Sequence, residues 1–155
     1  MSDQDKTPGD RVRELLEHIG EALDLEAQVE VVEEGDRIRG TMHGDDLGLF
    51  IGRHGQTIDA VQHLAFKVAA HGRSAAPKVE VDAAGYRDRR RQALERQADQ
   101  AASDARRSSR PVALNAMSAN ERKVVHEYLK DRGDVETYSE GTEPDRHLVV
   151  APLEV

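Results

Sequence analysis

The sequence contains no cysteine and no tryptophan, and only two phenylalanines and three tyrosines occur among its 155 residues. Without cysteine the chain cannot form disulfides, thiol nucleophiles or Cys-type zinc sites, and this composition suits a reducing cytosol. No apolar run approaches the ~18 residues of a membrane span, and the N-terminus lacks the basic and apolar regions of a signal peptide. The sequence therefore predicts a cytoplasmic protein without membrane insertion.

Patterns typical of enzymes and metal sites are also missing. The seven histidines lie on different predicted elements, and neither a His-x-x-x-His pair, nor a carboxylate cluster, nor a Walker-type loop occurs. His126 has an arginine beside it rather than an orienting carboxylate and a nucleophile. We therefore expect a protein that is not an enzyme and that uses no metal and no cofactor, with a nuclease as the rival class.

The charge is unevenly distributed along the chain. In total 30 Asp or Glu oppose 22 Lys or Arg, and the net charge of −8 argues against a nucleic-acid partner, because phosphate binding normally relies on cationic side chains. From Tyr86 to Arg132, however, 12 Lys or Arg face 7 Asp or Glu. This stretch permits nucleic-acid binding, but it also fits a solvated Arg-rich helix.

Hydrophobic periodicity divides the chain into two small α+β domains, over 10–84 and 86–153. Residues 1–9 are polar and predict a disordered tail, and Asp10 is the expected N-cap of a helix that runs to about Leu25. The rest of the first domain is predicted as a hairpin over 27–42, a helical turn over 47–51, a helix closed by His71-Gly72, and a strand over 78–81. The buried stripe expected on that second helix is Ile58, Val61, Leu64, Ala65 and Val68.

The second domain is predicted to have the order α-β-α-β-β. Its first helix runs from Tyr86 to about Arg107 and carries a narrow apolar seam of Leu94 and three alanines. A strand over 111–114 and a helix that begins with a capping box of Ser118 and Glu121 follow. Two further strands are expected over 135–139 and 147–151.

The most informative motif is Gly52-Arg53-His54-Gly55, here called the glycine loop, between two predicted helices. Glycine lacks Cβ, so the backbone can turn sharply and a sugar-phosphate chain can lie directly against it. The start of the following helix presents unpaired N–H groups and a partial positive charge, which form an anion site. Arg53 adds a fixed charge that can fork onto a phosphate, and His54 adds a pH-dependent donor. Two glycines at this spacing also occur at ordinary helix ends, so the motif needs its context.

That context is a preceding hairpin and a following helix and strand. With it, residues 10–84 resemble the KH family in its type II arrangement, α-β-β-α-α-β. The resemblance implies that the glycine loop grips the backbone of about four unpaired nucleotides while the bases lie in a groove beside the sheet. Phe50 and Phe66 are expected in the core, so the bases would be recognised by hydrogen bonds and apolar contacts rather than by aromatic stacking.

A second motif places Arg122 and His126 four residues apart, on one face of a helix. A phosphate could bridge the two side chains, or they could form an ordinary solvated surface pair. Together with its flanking segments, the pattern over 87–153 resembles the small nucleic-acid-binding domain named for its Arg-x-x-x-His signature. The resemblance implies contact with single-stranded nucleic acid through this pair, and Lys123 and Arg146 join it on charge and position.

A type II KH domain followed directly by an Arg-x-x-x-His domain resembles the bacterial Jag family, also called KhpB, over nearly the whole chain. The resemblance implies a single-stranded RNA-binding protein that acts as a post-transcriptional regulator or RNA chaperone and influences the cell envelope, division or cell shape. It also implies pairing with a small stand-alone KH protein or self-association. Some members carry a further N-terminal domain, whereas nine polar residues precede the KH unit here, so roles of that domain are not implied.

The predicted RNA-binding residues come from both domains. They are Ile51, Gly52, Arg53, His54, Gly55, Gln56, Arg122, Lys123, His126 and Arg146. The alternatives are a single-stranded DNA-binding protein and a protein-interaction adaptor that uses the acidic first 50 residues and the alanine-lined helix. Binding to phosphates weakens steeply as salt rises, so the salt dependence of binding distinguishes a nucleic-acid ligand from an adaptor role.

Overall fold

The chain forms two separate hydrophobic cores, one on each side of the boundary between Arg87 and Asp88. The computed structural model describes residues 2–154; Met1, the first residue of the predicted tail, and Val155 lie outside the described residues. Each unit combines helices with one three-stranded sheet. The predicted class, two small α+β domains, is therefore confirmed.

The first unit has the element order α-β-β-α-α-β. Its elements are helix α1 (Pro8–Ala22), strands β1 (Gln28–Glu34) and β2 (Arg37–His43), helices α2 (Gly48–Ile51) and α3 (Gln56–Ala70), and strand β3 (Lys78–Ala83). Strand β2 is central, antiparallel to β1 and parallel to β3. Helix α1 packs on β1 and β2, and α3 packs on β3 and on α1, so both helices lie over the sheet.

The alternation of side chains along β2 determines where the first core lies. Ile38, Gly40 and Met42 are buried, whereas Arg39 between them is exposed, as expected for a strand with one covered face. Gly40 allows α1 to approach closely, because a Cβ at this position would lie 2.6 Å from Cδ1 of Leu16. The absence of a side chain here thus sets the distance between α1 and the sheet.

Helix α1 begins earlier than predicted. Thr7, not Asp10, is the N-cap: the backbone N–H of Asp10 donates to the Thr7 hydroxyl at 3.1 Å, and the Thr7 N–H donates to the Asp10 carboxylate at 3.0 Å. Pro8 takes the first helical position, where its missing N–H has no partner to lose. Residues 3–5 form a 3-10 turn and Pro8 is buried. The predicted tail over 1–9 is therefore too long, because Pro8 and Gly9 belong to α1; disorder of the residues before them stays a prediction.

The buried stripe of α3 differs from the predicted one at Leu64 and at Val68, which is half-buried. Ile58, Val61, Ala65 and Ala69 are buried, whereas Leu64 is 50% exposed. Successive helical residues are about 100° apart, so Leu64 lies about a quarter turn from the centre of this stripe. The large apolar side chain is therefore left at the surface of α3.

The second unit is built around strand β6. Its elements are helix α4 (Tyr86–Ser108), strand β4 (Val112–Ala113), helix α5 (Ala119–Leu129), and strands β5 (Val135–Glu140) and β6 (His147–Pro152). The first two residues of α4 still belong to the first unit. Strand β6 lies between β4 and β5, antiparallel to both. The predicted seam of α4 is buried, including Ala98 and Ala105 at zero exposure. Across residues 2–154, no helix has both the length and the apolar character needed to cross a membrane.

The start of α5 uses only half of the predicted capping box. The Ser118 hydroxyl accepts the backbone N–H of Glu121 at 3.3 Å. The Glu121 carboxylate does not return this contact but accepts two hydrogen bonds from the Arg90 guanidinium, at 2.7 and 3.2 Å. A bidentate ion pair is stronger than a neutral hydrogen bond, so the carboxylate faces α4.

Candidate nucleic-acid interface

The glycine loop joins α2 to α3 through three residues with positive φ. These are Gly52 (φ 73°), His54 (φ 53°) and Gly55 (φ 80°), so the backbone is kinked at His54 between the two helices. Glycine adopts this conformation without a steric penalty, whereas His54 does so at a cost of about 1–2 kcal/mol. The loop is therefore a tight, strained turn.

The missing Cβ of each glycine would point into the protein. A Cβ at Gly52 would clash with the side chain of Thr57, and a Cβ at Gly55 would lie 2.9 Å from the Tyr86 hydroxyl oxygen. Gly55 itself is buried. The missing Cβ atoms therefore allow the turn and the close packing behind it. Contact of the loop backbone with a sugar-phosphate chain stays a prediction.

The outer surface of the glycine loop carries two cationic side chains. Arg53 and His54 are both exposed, and neither forms a side-chain hydrogen bond or ion pair with any residue between 2 and 154. Helix α3 starts directly behind them without a side-chain cap, and its first residue, Gln56, is exposed. Ile51 is half-buried and packs on the first core. Free donors and the start of a helix thus lie side by side, as an anion site requires.

The four predicted residues of the second unit line one surface cavity of about 400 Å³. Arg122, Lys123 and His126 come from α5, and Arg146 comes from the loop before β6. Strand β5 closes the other side, where Thr137 forms a hydrogen bond with Nδ1 of His126. A cavity of this size falls within the range of small-ligand sites, so it can hold part of a nucleotide.

Arg122 is a buried member of this cavity, not part of a solvated surface pair. Its side chain is 9% exposed. Nη1 donates to the backbone carbonyl of Met117 at 2.6 Å, and Nη2 donates to the Glu143 carboxylate at 2.9 Å. A phosphate that bridged Arg122 and His126 would compete with Glu143 for Nη2 of Arg122. Arg122 therefore holds together the segment before α5 and the loop between β5 and β6.

The accessible donors of the cavity belong to its other members. Lys123 is exposed and forms no ion pair with any described residue. His126 is exposed, and its hydrogen bond to Thr137 uses only Nδ1. Arg146 uses Nη1 to hold the carbonyl of Gly141 at 2.7 Å. These three side chains can offer N–H groups to a phosphate.

Many arginines of the basic stretch are already paired with carboxylates. The pairs are Arg90–Glu121, Arg91–Asp88, Arg106–Asp134, Arg107–Asp104 and Arg132–Asp134. The excess of 12 Lys or Arg over 7 Asp or Glu therefore overstates the charge available to a ligand. The position of individual cationic side chains at the cavity therefore matters more for ligand binding than the net charge of the stretch.

Known proteins resemble both units. The family model "KhpA/KhpB, KH domain" matches residues 10–82, and the model of the Arg-x-x-x-His domain matches residues 92–152. The chain is 34% identical over 148 residues to the RNA-binding protein KhpB of Clostridium symbiosum, covering 94% of this chain and 67% of that protein. It is 30% identical over 146 residues to the RNA-binding protein KhpB of Bacillus subtilis, with 93% and 70% covered. The chain belongs to the KhpB family.

A shorter match comes from a third member of the KhpB family. The RNA-binding protein KhpB of Lactiplantibacillus plantarum is 39% identical over 104 residues, which cover 67% of this chain and 32% of that protein. The resemblance to the KhpB family that the sequence motifs indicate is therefore confirmed.

Sequence reasoning missed the residues that support the site from behind. Tyr86 lies in the short segment between the residues matched by the two domain models. Glu143 lies 21 residues from its partner Arg122. Neither contact has a local sequence signal, because each depends on the tertiary fold. Thr137 lies within the segment that carries the Arg-x-x-x-His resemblance. Its contact with His126 could not be predicted, because it depends on how β5 packs on α5.

Proposed function

We propose that this protein binds single-stranded RNA and acts, without catalysis, as a post-transcriptional regulator or RNA chaperone. The observation that carries the proposal is the glycine loop, where exposed Arg53 and His54 have no described partner and stand before the uncapped start of α3. Two relatives that match across both domains are named RNA-binding proteins, and the matches cover 67% and 70% of their length. Their names support RNA as the ligand.

At the glycine loop, the ligand is the phosphate backbone. The Arg53 guanidinium can fork onto two phosphate oxygens, and the His54 ring can donate a further hydrogen bond. The first N–H groups of α3 add a partial positive charge of about half an elementary charge. Because these contacts reach phosphates and not base edges, the loop grips RNA without reading its sequence.

In the second unit, we assign phosphate contact to Lys123, His126 and Arg146, and a positioning role to Arg122. The first three have donors available at the cavity, whereas both terminal nitrogens of Arg122 are engaged. One RNA strand that engages both units would bind far more tightly than either unit alone, because the second contact becomes intramolecular.

The loop is tested by replacing Arg53 and His54 together with Asp. The double variant R53D/H54D is expected to bind unstructured RNA at least tenfold more weakly, with a shallower salt dependence, because each lost phosphate contact removes about 0.7 from the slope for single strands. Binding is measured by fluorescence anisotropy at several salt concentrations. The matched control is H71D/R73D, which makes the same charge change at two exposed residues beyond the end of α3. Equal affinity of R53D/H54D and wild type would remove the loop from the proposal.

The second unit is tested by K123A/H126A, for which we expect a loss of about tenfold from two phosphate contacts. K130A, just beyond the end of the same helix, is the control, because Lys130 is exposed but paired with Glu127. Unchanged binding by K123A/H126A would confine RNA binding to the first unit. DNA of the same sequence, tested in parallel, shows whether the 2′-hydroxyl is recognised. Equal affinity for both would favour a general single-strand binder.

A protein contact is favoured by two exposed leucines of the first unit. Leu49 is 67% exposed and Leu64 is 50% exposed, and they lie on the neighbouring helices α2 and α3. Large apolar side chains at a surface mark contact sites when they lie together. We propose that they serve self-association or pairing with a small stand-alone KH protein.

Light scattering of wild type and L49D/L64D, alone and with a stand-alone KH protein, tests this contact. The wild type is expected to form a larger species that L49D/L64D does not form. Val32→Asp, which changes a 41% exposed residue on β1, is the control. A wild type that stays monomeric in both mixtures would refute the contact.

We further propose that the protein works in the cytoplasm, because a chain without cysteine suits a reducing compartment. An influence on the cell envelope, division or cell shape would then arise through the bound RNAs. Fractionation of cells tests the location, and recovery of the protein outside the cytosol would contradict it. Crosslinking of RNA in cells, with R53D/H54D as the reference, tests whether the protein binds RNA there, and equal recovery of RNA with the two proteins would contradict a route through bound RNAs.

A further inference from the structure

We infer that Tyr86 and Arg87, the first two residues of α4, are positioning residues for RNA at the glycine loop. The inference rests on the proposed function of that loop. Both residues fall on the first unit's side of the boundary, yet they lie 31 or more residues beyond the loop's own motif. Two separate contacts lead to this assignment, one steric and one electrostatic.

The steric contact is between Tyr86 and Gly55. A Cβ at Gly55 would lie 2.9 Å from the Tyr86 hydroxyl oxygen and 3.0 Å from its Cε1, so the phenol ring lies directly behind the second glycine. Tyr86 is half-buried and packs on the first core. The ring therefore fills the inner side of the turn, and Arg53 and His54 occupy its exposed side.

The electrostatic contact is made by Arg87, which uses all three nitrogens of its side chain. Nε donates to the carbonyl of Val81 at 2.7 Å, Nη1 to the Asp59 carboxylate at 2.9 Å, and Nη2 to the side-chain oxygen of Gln62 at 2.9 Å. Asp59 and Gln62 belong to α3, and Val81 belongs to β3. The guanidinium is thus fixed beside the first turn of α3.

Asp59 is the acidic residue of that first turn. A carboxylate at a helix start is favourable for the helix itself, but it repels a phosphate that approaches the same N–H groups. Arg87 lies on this carboxylate at 2.9 Å and offsets its charge. Arg87 therefore keeps the start of α3 attractive to phosphate while Asp59 stabilises the helix.

A double-mutant cycle separates this charge effect from a merely structural one. Arg87→Met is expected to weaken binding of a fluorescein-labelled unstructured RNA about fivefold at low salt. This is the repulsion between the unpaired Asp59 carboxylate and a phosphate bound about 8 Å from it, at an effective dielectric constant of about 40. The double variant R87M/D59N is expected to return to within twofold of wild type, because the repelling charge is gone. If Arg87 acted only through its bonds to Val81 and Gln62, R87M/D59N would stay as weak as R87M. That result, or unchanged binding by R87M, would overturn the electrostatic role.

The pair Arg13–Glu17 provides a matched control on α1. Arg13 also joins a carboxylate to a backbone carbonyl, that of Val29. Arg13→Met is expected to bind RNA within twofold of wild type. A fivefold loss in R13M as well would mean that net charge, and not the position of Arg87, determines affinity, which would also overturn the role.

The steric role is tested with Tyr86→Phe and Tyr86→Ala. Phe keeps the ring behind Gly55, so Y86F is expected to bind RNA within twofold of wild type. Y86A is expected to bind at least fivefold more weakly and to show faster hydrogen exchange at the Gly55 amide, with the exchange of the β2 amides unchanged. Wild-type affinity and exchange in Y86A would overturn the steric role. If R53D/H54D also binds like wild type, the proposed role of the glycine loop fails as well; if R53D/H54D alone loses affinity, only the assignment of Tyr86 and Arg87 fails.

Discussion

Replacement of Arg122 with Ala distinguishes a buried support from a surface ligand. The side chain is 9% exposed and donates to the Met117 carbonyl and to Glu143. In R122A the Met117 carbonyl loses a charged donor, and the segment that leads into α5 loses its tie to the loop between β5 and β6. We therefore expect R122A to unfold the second unit more easily as well as to weaken RNA binding.

The magnitude follows from the two partners. A hydrogen bond from a charged donor contributes about 1.5–3 kcal/mol to stability, and this applies to the short, buried bond to Met117. Glu143 is 62% exposed, so its ion pair adds at most about 1 kcal/mol. R122A is therefore expected to lower the free energy of unfolding of the second unit by about 2–4 kcal/mol. Arg122→Lys keeps the charge, but its single ammonium nitrogen cannot replace two guanidinium nitrogens at two separate partners, so it is expected to lose about half as much.

Native-state hydrogen exchange measures this loss within the second unit of the full chain. The amides of Val125 and Val150, which lie in the second core, report its opening free energy. Lys123→Ala is the matched control, because Lys123 neighbours Arg122 on α5 and is exposed. We expect K123A to weaken RNA binding while it changes these amides by less than about 0.5 kcal/mol, as is usual for surface substitutions.

The reasoning would be refuted by an R122A protein that behaves like K123A. Unchanged exchange at Val125 and Val150, together with weaker RNA binding, would mean that the Arg122 guanidinium is available to phosphate and that Glu143 is easily displaced. Arg122 would then be a direct RNA ligand, as the sequence motif alone suggests.

Three further predictions concern stability. Phe50→Ala removes the largest fully buried side chain and is expected to destabilise the first unit by about 3–5 kcal/mol in urea unfolding; a loss below about 1 kcal/mol would contradict its core position. Thr7→Ala removes one hydrogen bond of the capping box and is expected to lower the stability of α1 by about 1 kcal/mol, measured by amide exchange in this helix. Unchanged exchange would mean that the helix starts later than Thr7. Hydrogen bonds from Arg132 lower the pKa of Asp134 below its usual 3.8, so this stabilisation is complete above that pH and disappears as pH falls through the lower folded value. Asp134→Asn should therefore be less stable than wild type near neutral pH, and the difference in the free energy of unfolding should shrink as the pH falls below 3.8. A difference that stays constant with pH would oppose this.

The sequence predicts the elements of this fold well because each carries a local signal. Strand β2 alternates, α3 carries an apolar stripe, and the glycine loop marks the point where α2 ends. The errors lie where two local signals compete. Asp10 is a good N-cap residue, but Thr7 followed by proline is a better start, and Asp10 then serves as the reciprocal partner.

The candidate site is predictable in its residue types but not in their roles. Motif and charge group the four residues that line the cavity of the second unit. They do not show that Arg122 is buried, because its partner Glu143 lies in a loop distant in sequence. Likewise Glu121 has the spacing of a capping box, but Arg90 of another helix outcompetes the backbone N–H for its carboxylate. The partners of these side chains depend on tertiary contacts, which cannot be predicted from sequence spacing.

The left-handed conformation of His54 has a consequence for anyone who tries to engineer this protein. At φ 53° and ψ 28°, glycine or asparagine would fit the backbone with less strain, so a search for stabilising substitutions would select this position early. The substitution would also delete one of the two exposed side chains proposed to hold RNA. A library sorted only for thermal resistance would therefore drift toward well-folded variants that no longer hold RNA, and sorting must include ligand capture at every round.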